Sequence, residues 1–91
     1  MNDEQERREP RRVGQVWVRR ESDEAAIWDP DTQTLHRLNP SALAIWELCD
    51  GDTTEEEIVG AVVEVTDASL SQATEDVRST LATLRAAGLV E

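Results

Sequence analysis

The spacing of hydrophobic residues changes near Asn39, from short strand-like stretches before it to a helical period after it. Before Asn39 there are three such stretches, at residues 15–20, 24–29 and 33–38, and the first is rich in β-branched and aromatic residues. Polar turns separate the stretches, and Pro30 presets φ in the second turn. The pattern predicts three short strands in an antiparallel meander.

A central helix is predicted directly after the third strand. Asn39 is suited to accept hydrogen bonds from the free amides of a helix start, and Pro40 needs no amide hydrogen at the first helical position. Every residue from 42 to 49 except Glu47 is apolar, so the helix should be covered on several sides. Gly51 supplies the stop because glycine tolerates the positive φ that ends a helix. A length of about ten to twelve residues is expected from this start and stop.

Two more helices follow in the pattern. Thr53 and Thr54 each precede a glutamate by three residues, which is the capping-box arrangement at a helix start. Residues 66–69 break this second helix, and a third opens at about residues 69–71. Its apolar stripe has helical spacing and consists of Ala73, Val77, Leu81, Leu84 and Ala87. The order of elements predicts an α+β domain with three strands followed by three helices.

Charge and composition divide the 91-residue chain, whose net charge is −11. Residues 1–12 contain no hydrophobic residue after Met1, which predicts a disordered arm and a single domain over residues 13–91. Residues 50–91 hold ten acidic residues against two arginines. A field of that sign repels phosphate backbones, so nucleic acid is not the expected partner.

Candidate chemistry is sparse. The only histidine, His36, and the only cysteine, Cys49, lie on different predicted elements. A catalytic nucleophile needs a nearby base, and a structural zinc site needs four ligands. No catalytic residue, metal site or cofactor is therefore predicted, and Cys49 is expected to be a small buried hydrophobic residue. With no signal peptide and no apolar stretch long enough to span a membrane, a cytoplasmic protein is expected.

Three segments carry a resemblance to a known family when they are taken in order. The first runs from the third strand into the first helix and comprises Leu38-Asn39, Ala42, Ile45-Trp46-Glu47-Leu48 and Asp50-Gly51. The others are Glu57-Ile58 and the closing set Asp76-Val77, Leu81, Leu84 and Gly88-Leu89-Val90. Together, over about residues 13–91, they resemble the PqqD family of RiPP recognition elements. These are winged-helix-like domains that bind the leader of a ribosomal precursor peptide.

The resemblance implies a non-catalytic function. In the family the leader adds to the third strand and lies against the third helix. A backbone ladder is then expected at Gln33, Thr34, Leu35, His36, Arg37 and Leu38. A shallow apolar pocket is expected at Leu35, Ala73, Val77 and Thr80, with Asp76 holding a polar or basic leader group. The partner enzyme is either a radical-SAM modifying enzyme or a leader peptidase, and Trp46 with Asn39-Pro40 leans toward the discrete lasso-peptide type.

Other interpretations stay open at this point. Asp76 also fits a solvated helix position, and Trp46 fits the core, whereas Trp17 and Trp28 are candidates to flank a partner surface. If the third strand alternates strictly, Leu35 and Leu38 lie on opposite faces and one of them is partly exposed. Whether Thr34 or His36 has an outward amide depends on a register that the sequence does not give.

Two other functional classes are alternatives to leader recognition. A winged-helix DNA-binding regulator would need basic residues on its recognition helix, but the third helix has Arg78 and Arg85 beside Glu75 and Asp76. A subunit that only stabilises a partner would bind the enzyme without the leader. The acidic start of the second helix, residues 55–57, favours the helix dipole and is also a possible docking face for a basic patch.

Overall fold

The structure is a computed structural model that describes residues 9–91, and residues 1–8 lie outside the described part. It contains three strands and three helices in the predicted order. The strands are β1 (Trp17–Glu21), β2 (Glu24–Asp29) and β3 (Thr34–Leu38), and the helices are α1 (Pro40–Glu47), α2 (Glu55–Val65) and α3 (Leu70–Ala86). The α+β fold class and the strand-then-helix order are therefore confirmed.

The three strands form one antiparallel sheet in the order β1-β2-β3. A two-residue turn at Ser22 and Asp23 joins β1 to β2, and Ser22 adopts a φ of 62°. Gln33 has a φ of 55° and closes the turn before β3, so it does not belong to the strand as predicted. Strand β1 also starts two residues later than predicted, at Trp17 instead of Gln15. The meander itself is as predicted.

Helix α1 is shorter than the ten to twelve residues expected, with eight residues. Its start is as predicted, because Asn39 Oδ1 accepts a hydrogen bond from the amide of Ala42 at 2.8 Å. At the other end, the amide of Cys49 bonds to the carbonyl of Trp46 at 3.1 Å. This three-residue span tightens the last turn and ends the helix early. Gly51, with a φ of 86°, then turns the chain toward α2.

The core lies between the sheet and the helices, with α1 contacting both β2 and β3. The predicted core residues Trp46, Cys49, Leu81 and Leu84 are all buried. Capping boxes open α2, through Thr54 and Glu57, and α3, through Ser69 and Gln72. Among residues 9–91, no helix is both long and apolar enough to cross a bilayer.

The segment before β1 differs in part from the predicted disordered arm. Pro10 is buried, and its carbonyl accepts a hydrogen bond from the amide of Gly51 at 2.9 Å. Arg12 pairs with Val90 in an isolated bridge, and the amide of Arg12 bonds to the carbonyl of Cys49 at 2.8 Å. Residues 10–12 therefore pack on the domain through backbone pairing, a signal that hydrophobic patterning does not carry. The rest of the predicted arm, residues 1–8, lies outside the described residues.

Candidate functional site

The register of the sheet determines which backbone groups of β3 are free. Glu21 and Glu24 pair across the two-residue turn between β1 and β2. The pair that flanks such a turn exchanges backbone hydrogen bonds, and the bonding direction alternates along each strand. Glu24 therefore bonds toward β1, whereas Ala25 and Ile27 bond toward β3.

On β3, the partners of Ala25 and Ile27 are Leu38 and His36, so the backbone groups of these two residues point into the sheet. The backbone groups of Thr34, two residues before His36, also point into the sheet. Leu35 and Arg37 point the other way, and β3 is the outermost strand on that side. Two N–H and two C=O groups, those of Leu35 and Arg37, thus face the free edge. Of the six residues predicted for the ladder, Leu35 and Arg37 are the two whose backbone groups face the free edge.

The side chains of β3 alternate between the two faces of the sheet. Leu38 is buried, whereas Leu35 is 52% exposed, which confirms the expectation that one leucine is partly exposed. His36 lies on the helix-facing side, and its Nε2 is buried with no hydrogen-bond partner in the described part of the chain. Thr34 and Arg37 are exposed. The strand thus offers an apolar and a basic side chain beside its free backbone groups.

Two of the predicted pocket residues on α3 are in the core. Ala73 and Val77 are both fully buried, at 0% exposed, so neither side chain is presented at the surface. The helical spacing that made them candidates is also the spacing of a core stripe, and here the core accounts for it. Asp76 is exposed and Thr80 partly buried, and both line a groove.

The groove has a volume of about 470 Å³ and lies between the three helices. Asn39 and Pro40, which directly follow β3, form part of its lining, so the groove adjoins the carboxyl end of the strand. Its apolar lining includes Ala44 from α1 and Val62 and Val65 from α2. This contribution of α2 was not predicted from the sequence. The available signal was Val65, an apolar residue at the end of the predicted second helix, and its side chain is 78% exposed in the structure.

The electrostatic character of the groove depends on one residue. Asp76 is the sole charged side chain among the described residues that line it. The neighbouring Arg78 lies outside the groove lining, with its Nε 3.9 Å from a carboxylate oxygen of Glu55. The groove therefore combines apolar and uncharged polar side chains with one acidic side chain, which suits an apolar ligand that carries a basic or polar group.

Cys49 lies in the core, where its role is structural. It is fully buried, and its thiol lies 3.2 Å from the carbonyl oxygen of Ile45, to which it donates a hydrogen bond. Burial raises the pKa of the Cys49 thiol to about 11, although the charge of Arg12 acts against the shift. The thiol is thus protonated at neutral pH and is a poor nucleophile. Within residues 9–91 there is also no cluster of three or more side chains suited to hold a metal ion.

Comparison with known proteins agrees with this architecture. Residues 24–90 match the family described as Coenzyme PQQ synthesis protein D (PqqD). The chain belongs to the PqqD family. No curated protein sequence matches it. The matched residues of this PqqD-family protein include β2, β3 and all three helices, so they cover both the free edge and the groove.

Two solved structures share this PqqD-family fold. One, described as "TbiB1 in Complex with the TbiA(beta) Leader Peptide", has a TM-score of 0.80 and 25% identity, and the match covers 89% of this chain and 94% of that chain. The other, "Lasso peptide synthetase B1 complexed with the leader peptide", has a TM-score of 0.80 and 14% identity, with coverage of 91% and 98%. At that identity the second similarity shows the fold alone.

Proposed function

We propose that this PqqD-family protein binds the leader segment of a ribosomally made precursor peptide and presents it to a modifying enzyme or a leader peptidase. The observation that carries the proposal is the free edge of β3, where Leu35 and Arg37 offer backbone groups beside an apolar groove. An extended peptide adds to such an edge by main-chain hydrogen bonds. The similar TbiB1 structure, itself a complex with a leader peptide, supports this proposal.

The energetics require more than backbone pairing. Four hydrogen bonds at about 1 kcal/mol each correspond, before the costs of association, to no better than millimolar affinity. Burial of one leucine-sized side chain contributes about 1.5–3 kcal/mol, and each 1.4 kcal/mol is a factor of about ten. Two apolar leader side chains would add about 3–6 kcal/mol, which the leader needs to offset the cost of association and reach micromolar affinity. We place one of them beside Leu35 and the other in the groove near Thr80.

Asp76 adds selectivity in this proposal. Its carboxylate lines an otherwise uncharged groove, where it would pair with a basic or polar leader group. The side chain is exposed, so the pair would be screened by salt and contribute about 0–1 kcal/mol. Asp76 thus favours one class of leader over another without carrying the affinity.

The proposed function is non-catalytic. The site consists of backbone groups and a groove, and the thiol of Cys49 is fully buried and outside the groove lining. The charges on α3 do not favour the DNA-binding alternative, because Arg78 and Arg85 share the helix with the exposed Glu75 and Asp76. We place the protein in the cytoplasm, where ribosomal peptides are made.

For the pathway, we propose the discrete lasso-peptide type, in which the partner is a leader peptidase. The support is Trp46 and the Asn39-Pro40 junction, which resemble that type, together with the shared fold of the lasso peptide synthetase B1 structure at a TM-score of 0.80. The gene neighbourhood tests this choice directly. A protease and a cyclase beside the gene would support it, and a radical-SAM enzyme would point to the alternative pathway.

The binding proposal is tested by titrating the leader peptides encoded near the gene against the full chain. We expect micromolar affinity by fluorescence anisotropy or calorimetry. Hydrogen exchange gives the residue-level readout: bound leader should protect the amides of Leu35 and Arg37 most, since those of Thr34 and His36 already point into the sheet. Millimolar or weaker binding of every neighbouring precursor would refute the proposal.

A further inference from the structure

An apolar row crosses the face of the sheet opposite the helices. Trp17 pairs with Trp28, and Trp28 pairs with Leu35, so the three side chains stand side by side across the three strands. They lie on the outer face because their neighbour Ile27 points into the core. Their exposed fractions are 73%, 39% and 52% respectively. We call Trp17, Trp28 and Leu35 the outer row.

Sheet stability does not explain why the outer row consists of large, exposed apolar side chains. Each cross-strand pair contributes about 0.2–1 kcal/mol, and a smaller or polar residue would provide part of it. Trp17 lies on an edge strand and remains mostly exposed, so its large ring packs little against its own domain. Contiguous exposed apolar side chains mark interaction sites, and tryptophan is enriched among the residues that dominate binding energy.

Positive charge lies next to the outer row. Arg19, Ala26 and Arg37 pair in the same register two residues further along the strands and on the same face. Arg19 Nε lies 3.4 Å from a carboxylate oxygen of Glu21, and both side chains are largely exposed. Arg37 forms no ion pair with any of the residues 9–91. Glu21 and Glu24 pair on the same face, four residues from the outer row, so the attraction for a partner's carboxylates is local to Arg19 and Arg37 next to the row.

Leu35 connects this face to the proposed leader site. Its backbone groups face the free edge of β3, whereas its side chain ends the outer row. A leader strand added at that edge would extend the sheet, and its alternate side chains would continue the line of Trp17, Trp28 and Leu35. The bound leader and the outer row would then form one continuous surface.

From this geometry we propose that the outer row is the docking surface for the enzyme that receives the leader, and that the enzyme presents an apolar patch bordered by carboxylates. The inference rests on the proposed leader binding. It explains how one partner distinguishes leader-bound protein from free protein, because the composite surface is complete only when the leader is in place.

Trp17→Ser is the test variant, because Trp17 lies two strands from β3, about 10 Å away, and so outside the reach of an added strand. The probe is the purified leader-processing enzyme encoded beside the gene, measured with the full chain and saturating leader. We expect at least a tenfold loss of enzyme affinity and less than a twofold change in leader affinity. The matched control is Leu70→Ser, which removes an apolar side chain that is 67% exposed on α3.

A second variant, Arg19→Glu, tests the charge complementarity without removing an aromatic ring. It should weaken enzyme binding by a factor that shrinks as salt is raised.

Unchanged enzyme affinity in both variants, with leader binding intact, would overturn the inference and leave the proposed function standing. Equal losses of leader and enzyme affinity would assign the row to the leader site, and a dimer abolished by Trp17→Ser would assign it to a second copy. Either result overturns the inference, whereas failure of the unmodified protein to bind leader refutes the proposed function itself.

Discussion

The indole Nε1 of Trp46 donates a hydrogen bond to the carbonyl oxygen of Leu89, 3.1 Å away in the core. The bond joins α1 to the segment after α3, 43 residues apart in sequence. The guanidinium of Arg12 lies 5.5 Å from the centre of the indole ring, so the amino-terminal segment also packs there. Trp46 therefore holds both ends of the described chain against the helix that follows β3.

Trp46→Phe should lower the free energy of unfolding by about 1–3 kcal/mol, because it leaves the buried carbonyl of Leu89 without its partner. Denaturant unfolding monitored by circular dichroism measures the change. Trp28→Phe is the control, because Trp28 is 39% exposed and should lose far less stability. If both variants unfold at the same denaturant concentration, the hydrogen bond contributes nothing measurable.

Proline substitution along β3 tests the register of the edge. Arg37→Pro removes an outward amide and should weaken leader binding by roughly tenfold, with a smaller cost in folding. His36→Pro removes an amide that bonds to β2 and should instead lower the melting temperature markedly. Binding and thermal unfolding of both variants give the comparison, and the opposite order of effects would mean that the bonding parity of β3 is reversed.

Neutralising Asp76 tests its proposed contact with the leader. Asp76→Asn should reduce affinity for a leader with a basic group by up to about fivefold at low salt, because a solvent-screened pair contributes about 0–1 kcal/mol. The loss should shrink as ionic strength rises. Glu75→Gln is matched to it in charge and helix position but lies outside the groove lining. Equal effects of the two variants would attribute the change to overall charge.

Because the thiol of Cys49 is buried, the free energy of unfolding of the protein should depend on pH. Burial raises its pKa from an ordinary value of 9.0 to about 11, so folding favours the neutral form. This contribution is complete below pH 9 and is lost as the pH rises through about 11. Unfolding free energies measured between pH 8 and pH 11 should therefore fall more steeply in the natural protein than in Cys49→Ala. Parallel curves would contradict the prediction, as would rapid alkylation of the folded protein at pH 8.

The order of elements could be predicted from the sequence because the helix starts have local chemical signals. The cap at Asn39 and the capping box at Thr54 each join residues that are three positions apart. These signals were sufficient for the fold, and the family resemblance added the expected function. The early end of α1 was missed, because apolar residues continue past Glu47 and hide it.

The site was harder to predict because it depends on relations between distant residues. Spacing alone does not separate a core stripe from a pocket, so Ala73 and Val77 were expected at the surface although both are buried. The turn between β1 and β2, more than ten residues away, determines that the backbone groups of Leu35 and Arg37 face the free edge. The groove likewise needs α1 and α2 to line the same space beside α3, which no local pattern reveals.

The bridge between Arg12 and Val90 has a consequence for protein engineering and for gene fusion. It brings the two ends of the folded unit to one strand spacing, about 5 Å, while β3 keeps its outer side free. We expect that such a unit can be inserted into a loop of a larger polypeptide, or circularly permuted, with a short linker and the sheet intact. A host protein would gain a peptide-capturing module through a single point of attachment.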